Sequence, residues 1–168
     1  LFLEHYARLH FEMLDYKEAT RLFYRASLVG NIQPVSLGLW GRGLFEQGLY
    51  EQSIETFERL LEEQQQIAIQ NGAKYWLAVA HIKLGHSAPA RRIALDLLSR
   101  KDVDNKILFD LGENFIEARC LSMAREIFEK IAIENEEFLL ARLRLEDIRG
   151  LEKQIDEMLP KMFEGDEE

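Results

Sequence analysis

Four small residues, Ala19, Ser53, Ala90 and Ala124, each follow a helix-breaking segment and precede an apolar helix, at spacings of 34, 37 and 34 residues. A recurrence at this period marks a chain assembled from stacked supersecondary units, each too small to bury its apolar face alone. Four residues beyond each small residue stand Phe23, Phe57, Ala94 and Phe128, and seven beyond stand Ala26, Leu60, Leu97 and Ile131. One helical face is therefore written four times. Upstream, Tyr6, Trp40, Leu77 and Leu111 are each followed by a small residue, Ala7, Gly41, Ala78 or Gly112, which lets paired helices approach closely.

Within a unit the apolar residues return at three and four, not at two, and prolines occur only at 34, 89 and 160. The chain reads as all-helical. In the first unit Leu3, Tyr6, Ala7, His10 and Phe11 line one helix, and Ala19, Leu22, Phe23 and Ala26 the next. Asp15 is placed to cap the second helix with Glu18 reaching back to it, and Gly30 and Pro34 punctuate its exit. The 37-residue interval places three extra residues in the stretch 60–70, before an Asn71-Gly72 stop. This predicts a longer second helix in the second unit and a local change of pitch. After Asn135, apolar residues continue to Gly150 and then from Leu151 to Leu159, as capping helices would.

The pattern of a large residue then a small one, a further large residue three later (His10, Leu44, His81, Phe115), then a small residue and Phe four apart, resembles the tetratricopeptide repeat. The resemblance covers residues 1–134, as repeats of approximately 1–34, 35–71, 72–105 and 106–134, followed by capping helices over 135–160 and an acidic disordered tail over 161–168. Ser53 and Ala94 depart from the family's usual Ala and Phe, and the closing proline is present only as Pro34. What the resemblance implies is an all-α class, an α-solenoid or superhelix of about four helix-turn-helix repeats, with a concave groove walled by the first helix of each pair. Carried over by register, the groove-facing positions include Arg8, Phe11, Arg42, Phe45, Tyr75, Trp76, Val79, Ile82, Phe109 and Ile116. Phe11, Phe45, Ile82 and Ile116 form one apolar column, and Arg8 and Arg42 flank it as an anchoring pair. Aromatic and arginine residues are the usual interface anchors, and Trp76 is the foremost of these. The carboxylate clamp by which some family members grip chaperone tails is missing: its positions hold Glu4, Arg8, Leu39, Gly72 and Trp76.

Composition narrows the chemistry. The net charge is -9 with a pI near 5.1, and residues 134–168 alone carry -7. That balance repels phosphate backbones and argues against nucleic acid as a partner. The single Cys120 cannot form an intramolecular disulfide and has no sequence neighbour to act as its base. No glycine-rich phosphate loop is written, and carboxylate pairs such as Glu62-Glu63 and Glu136-Glu137 fall on polar faces. His5 and His10, like His81 and His86, are five apart, about 140° around a helix, so neither pair is expected to chelate a metal from one face. The expectation is a non-enzymatic scaffold without cofactor or metal that binds a protein or peptide, with homo-oligomerisation possible in principle and no membrane insertion by this segment. Beginning at Leu1 without Met, the chain reads as a piece of a larger assembly protein. A structural or self-associating segment, or the docking arm of an enzyme whose catalytic domain lies elsewhere, are the alternatives.

Overall fold

The computed structural model describes residues 2–63, 65–135 and 138–163, with side chains to residue 158. Among these residues the chain forms nine α-helices: α1 (Phe2–Glu12), α2 (Tyr16–Val29), α3 (Pro34–Glu46), α4 (Tyr50–Glu63), α5 (Ile67–Lys83), α6 (Ser87–Ser99), α7 (Asn105–Glu117), α8 (Leu121–Glu134) and α9 (Leu139–Phe163). The all-α class expected from the spacing of apolar residues is the class observed. The expected carboxylate pair Glu136-Glu137 and residues 164–168 of the tail expected over 161–168 lie outside the described residues, while 161–163 are not tail but the last residues of α9.

The chain divides into two compact units, Leu1–Val103 and Asp104–Glu168. In the first, α1 packs on α2, α3 on α4 and α5 on α6, while α2 meets α3, α4 meets α5, and the first helices α1, α3 and α5 neighbour one another in order. That is the stacking of an α-solenoid, in which each pair buries its face only against its neighbours. In the second unit α7 packs on α8 and α8 on α9.

Side-chain size explains the close pairing. A methyl added at Gly41 would sit 2.8 Å from the Phe57 ring, and one at Gly112 would sit 2.6 Å from Phe128. Both phenylalanines are fully buried, so each glycine makes room for the ring that faces it. In the third repeat the two positions hold Ala78 and Ala94, both wholly buried. Here a methyl on either helix replaces the glycine and ring. Ser53 is equally buried and stands where Ala would suffice, because its Oγ donates to the Gly41 carbonyl at 2.8 Å. A buried hydroxyl needs such an acceptor.

Each pair is joined by the same turn. The amide N–H of Asp15, Leu49, His86 and Cys120 donates to the carbonyl five residues back, on His10, Leu44, His81 and Phe115, at 2.8–3.0 Å. This closure places the intervening residue in the left-handed region: Gly48 (φ 75°) and Gly85 (φ 73°), but also Leu14 (φ 61°) and Arg119 (φ 58°). The two non-glycine residues carry backbone strain that glycine avoids. Asp15 caps α2 as expected, accepting from the Glu18 amide at 3.3 Å. Glu18 does not complete the reciprocal box; its carboxylate turns forward to Arg21 Nε at 2.7 Å.

Two boundaries differ from the sequence reading. α4 has 14 residues, like α2 and α8, so the extra residues do not lengthen it. They extend the start of α5, which has 17 residues against 13 in α3 and α7. Asn71-Gly72 is thus inside α5 and not a stop. The Asn71 side chain, 2% exposed, donates to the Asp102 carbonyl at 3.0 Å and accepts from Arg100 at 3.2 Å. Those partners satisfy the amide that would otherwise compete with helical backbone. Likewise α9 is one helix that runs through Gly150, where two capping helices were expected to meet. No described helix is long and apolar enough to cross a membrane.

Candidate functional site

In the first unit the first helices place an aromatic and cationic cluster around Trp76 of α5. Its indole meets the ring of Phe45, from α3, edge-on at 5.2 Å, and Tyr75 at 5.1 Å. Phe45 in turn meets Tyr50 at 5.1 Å. The Arg42 guanidinium lies 5.2 Å from the Trp76 ring and 5.5 Å from the Phe11 ring, bridging α1, α3 and α5. Glu46 fixes it further at 3.6 Å. Edge-to-face pairs contribute about 0.5–1.5 kcal/mol each beyond burial, and exposed cation–π contacts about 0.5–1 kcal/mol. Trp76 is therefore half-buried and held in one orientation before any ligand arrives.

Beside this cluster, α3 and α5 flank an open cleft of about 260 Å³ floored by Phe57 and Leu60 of α4 and walled by Trp76 and Arg42, with Gly38, Leu39, Ala68 and Gly72 along it. Its glycines differ from Gly41. A methyl at Gly72 would meet nothing within 4 Å, and one at Gly38 only Leu60 at an ordinary 3.6 Å. Core packing does not require a glycine at either position, and above Gly72 the volume is free space.

The structure divides the residues expected in the groove. Arg42, Phe45, Tyr75 and Trp76 come together as described. Arg8 is instead a strut between repeats: its guanidinium donates to Ser36 Oγ at 2.7 and 3.0 Å and to Gln33 Oε1 at 3.1 Å. Glu4 completes that joint by accepting from the Gln33 amide at 3.0 Å. Burial alone would raise the Glu4 carboxyl, but hydrogen bonds from Ser36 and Gln33 and the Arg8 charge outweigh it and hold the group below its ordinary value. Phe11 (8% exposed) and Val79 (2%) belong to the core, and Ile82 is half-buried on α5. In the second unit Phe109 packs against Phe128 and Phe138, with ring centroids at 5.3 and 5.6 Å. Ile116 lines a separate cleft of about 470 Å³ with Leu121, Leu151, Ile155 and Met158.

The histidines depart from the helical-wheel expectation. His81 and His86 are not about 140° apart, because α5 ends at Lys83 and the turn folds His86 back; their Nδ1 atoms are 3.4 Å apart. Burial and then the neighbouring His86 push His81 below the usual imidazole value, against the pull of Glu58. At the matching turn of the first repeat, His10 Nδ1 lies 3.1 Å from Asp15 Oδ2. Cys120 precedes α8, half-buried, its thiol toward the Ala118 carbonyl at 3.7 Å. Among the described residues no group of three or more His, Cys, Asp or Glu is arranged to hold a metal ion. The paired imidazoles and the open α3–α5 cleft were both invisible to periodicity, since one depends on a turn and the other on what a glycine faces.

No protein-family profile matches the chain, and no curated protein matches it. Solved structures do. MamA, residues 41 to the end, from Desulfovibrio magneticus RS-1 superposes with a TM-score of 0.70 at 16% identity, over 97% of this chain and 92% of that one. A tetratricopeptide-repeat protein from Parabacteroides merdae gives 0.68 at 20% identity, over 98% and 66%. YrrB, a tetratricopeptide-repeat protein with an unusual peptide-binding site, gives 0.64 at 14% identity, over 83% and 71%.

Proposed function

We propose that this chain, which has the tetratricopeptide-repeat fold, is a protein-interaction scaffold whose α3–α5 cleft receives an apolar side chain from a peptide or protein partner. The observation that carries this reading is the pairing of a pre-oriented Trp76 with two glycines that core packing does not need. A ligand entering such a cleft meets aromatic surface at little entropic cost, since the ring is already fixed. Arg42, exposed above the ring, offers the polar contact that sets register. The likeness to YrrB supports a peptide ligand by analogy of fold alone.

The test uses Gly72→Leu beside a Trp76→Ala, Arg42→Ala double variant. The Cβ at residue 72 meets nothing within 4 Å, so the leucine is expected to fill the cleft against Phe57 and Leu60 on its floor, and it replaces a helical glycine by a better helix former. Partners recovered from the source cell by the wild type are expected to be lost by both variants while helical content is kept. Equal recovery by folded Gly72→Leu would move the binding surface elsewhere.

One observation favours self-association as a second reading. Leu140, Leu143, Leu151, Ile155 and Met158 are large apolar residues left exposed on α9, more than a terminal cap needs. Ile155→Glu with Met158→Glu would then convert a concentration-dependent oligomer to monomer in light scattering. A wild type that is monomeric at high concentration removes this reading.

A further inference from the structure

The repeat turn does more than reverse the chain: it sets position i beside position i+5. The pairs so placed are His10 with Asp15, Leu44 with Leu49, His81 with His86 and Phe115 with Cys120. Only in the third repeat are both members imidazoles. Their Nδ1 atoms are 3.4 Å apart, with ring centroids at 5.6 Å and planes inclined by 45°. Two nitrogens bonded to one tetrahedral zinc ion at about 2.0–2.1 Å stand about 3.3–3.4 Å apart. The observed separation matches the distance at which two imidazoles bind a single ion, with a small rotation of the exposed His86 ring bringing both nitrogens onto it. As a direct hydrogen bond the contact is poor, since such bonds cluster near about 2.9–3.0 Å.

We propose that His81 and His86 form a two-imidazole site for a divalent first-row transition metal of the zinc class, with solvent completing the coordination. The turn pre-organises it. Gly85 takes φ 73°, its amide donates to the Ile82 carbonyl at 3.0 Å, and the His86 amide donates to the His81 carbonyl at 2.9 Å. Both ligand backbones are thus fixed before the ion arrives. His86 is exposed, and its side chain makes no capping bond to α6, so one ring is open to entry. The charged neighbours of His81 are Glu58 on α4, which favours a bound cation, and Arg92 on α6, which opposes it. A nitrogen pair selects zinc, nickel or copper over calcium and magnesium, which take oxygen. Two protein ligands in place of four give a loaded or exchanging site, not one on which the fold depends.

The experiment is a zinc chloride titration of the whole chain, read by calorimetry and by histidine side-chain NMR. The variants are His86→Gln, His81→Gln, and His5→Gln with His10→Gln as the control. One equivalent of zinc is expected to shift the imidazoles of residues 81 and 86, and each of those substitutions to weaken binding by at least about tenfold. The control should match wild type, and calcium and magnesium should give no response. Because His86 is exposed, circular dichroism of His86→Gln should overlay that of wild type. Undiminished affinity in folded His86→Gln, shifts spread evenly over all four histidines, or no saturable zinc binding would each overturn the proposal.

Discussion

Glycine has three distinct uses here, and each predicts a different response to a single methyl. At Gly41 the methyl meets the buried Phe57 ring, so Gly41→Ala is expected to destabilise by about 1–3 kcal/mol despite the better helix propensity of alanine. At Gly72 the methyl meets open space, and Gly72→Ala is expected to stabilise by about 0.5–1 kcal/mol. Urea unfolding of the two variants should give shifts of opposite sign. At the turns the requirement is conformational. Leu14 is 69% exposed yet left-handed, so Leu14→Gly relieves strain with little packing lost. It should raise stability, by up to about 1 kcal/mol once the extra freedom of glycine in the unfolded chain is counted. The Gly41 role was legible in the sequence, because a small residue after a large one recurs in every repeat. Gly72 was not, since only the facing helix shows that nothing fills the space above it.

Between elements, short polar joints supplement the apolar contacts. Asp96 on α6 pairs with Lys74 on α5 and with Arg100 at 3.2 Å, and Arg100 reaches the Asn71 amide. Burial raises the Asp96 carboxyl, but Lys74 first and then Arg100 outweigh it and hold it below its ordinary value. Glu4 behaves alike at the joint of α1 with α3. For both, the folded carboxyl is more acidic than the unfolded one, so their contribution is complete above the ordinary values of 4.5 and 3.8. It is lost as pH falls through the lower folded values. Thermal melts should show this acid limb flattened in Asp96→Asn, with a loss near neutrality of less than about 1 kcal/mol because the Asp96 side chain is 44% exposed. The sequence reading placed Asn71-Gly72 as a helix stop for a sound local reason. The partners that overruled it, Arg100 and Asp102, lie about thirty residues away.

For the molecule as a whole, stacked repeats make stability a sum of neighbour terms. Gly112→Ala, which drives a methyl into Phe128, should therefore loosen α7 and α8 in hydrogen exchange and leave the protection of α1 to α4 unchanged. The charge of -9 predicts no retardation of single-stranded RNA at low salt, since net negative charge repels the phosphate backbone. By itself the sequence determined the helix class, the pairing and the closeness of each pair. Those depend on residue size at fixed helical spacing, which one chain records in its own repeats. Tertiary structure alone decided which groove residues are struts or core, as with Arg8 and Phe11. It also decided which glycines face open space, and it brought His81 against His86. Each of these depends on what a neighbouring helix or a left-handed turn presents across space, and no periodicity along the chain encodes that.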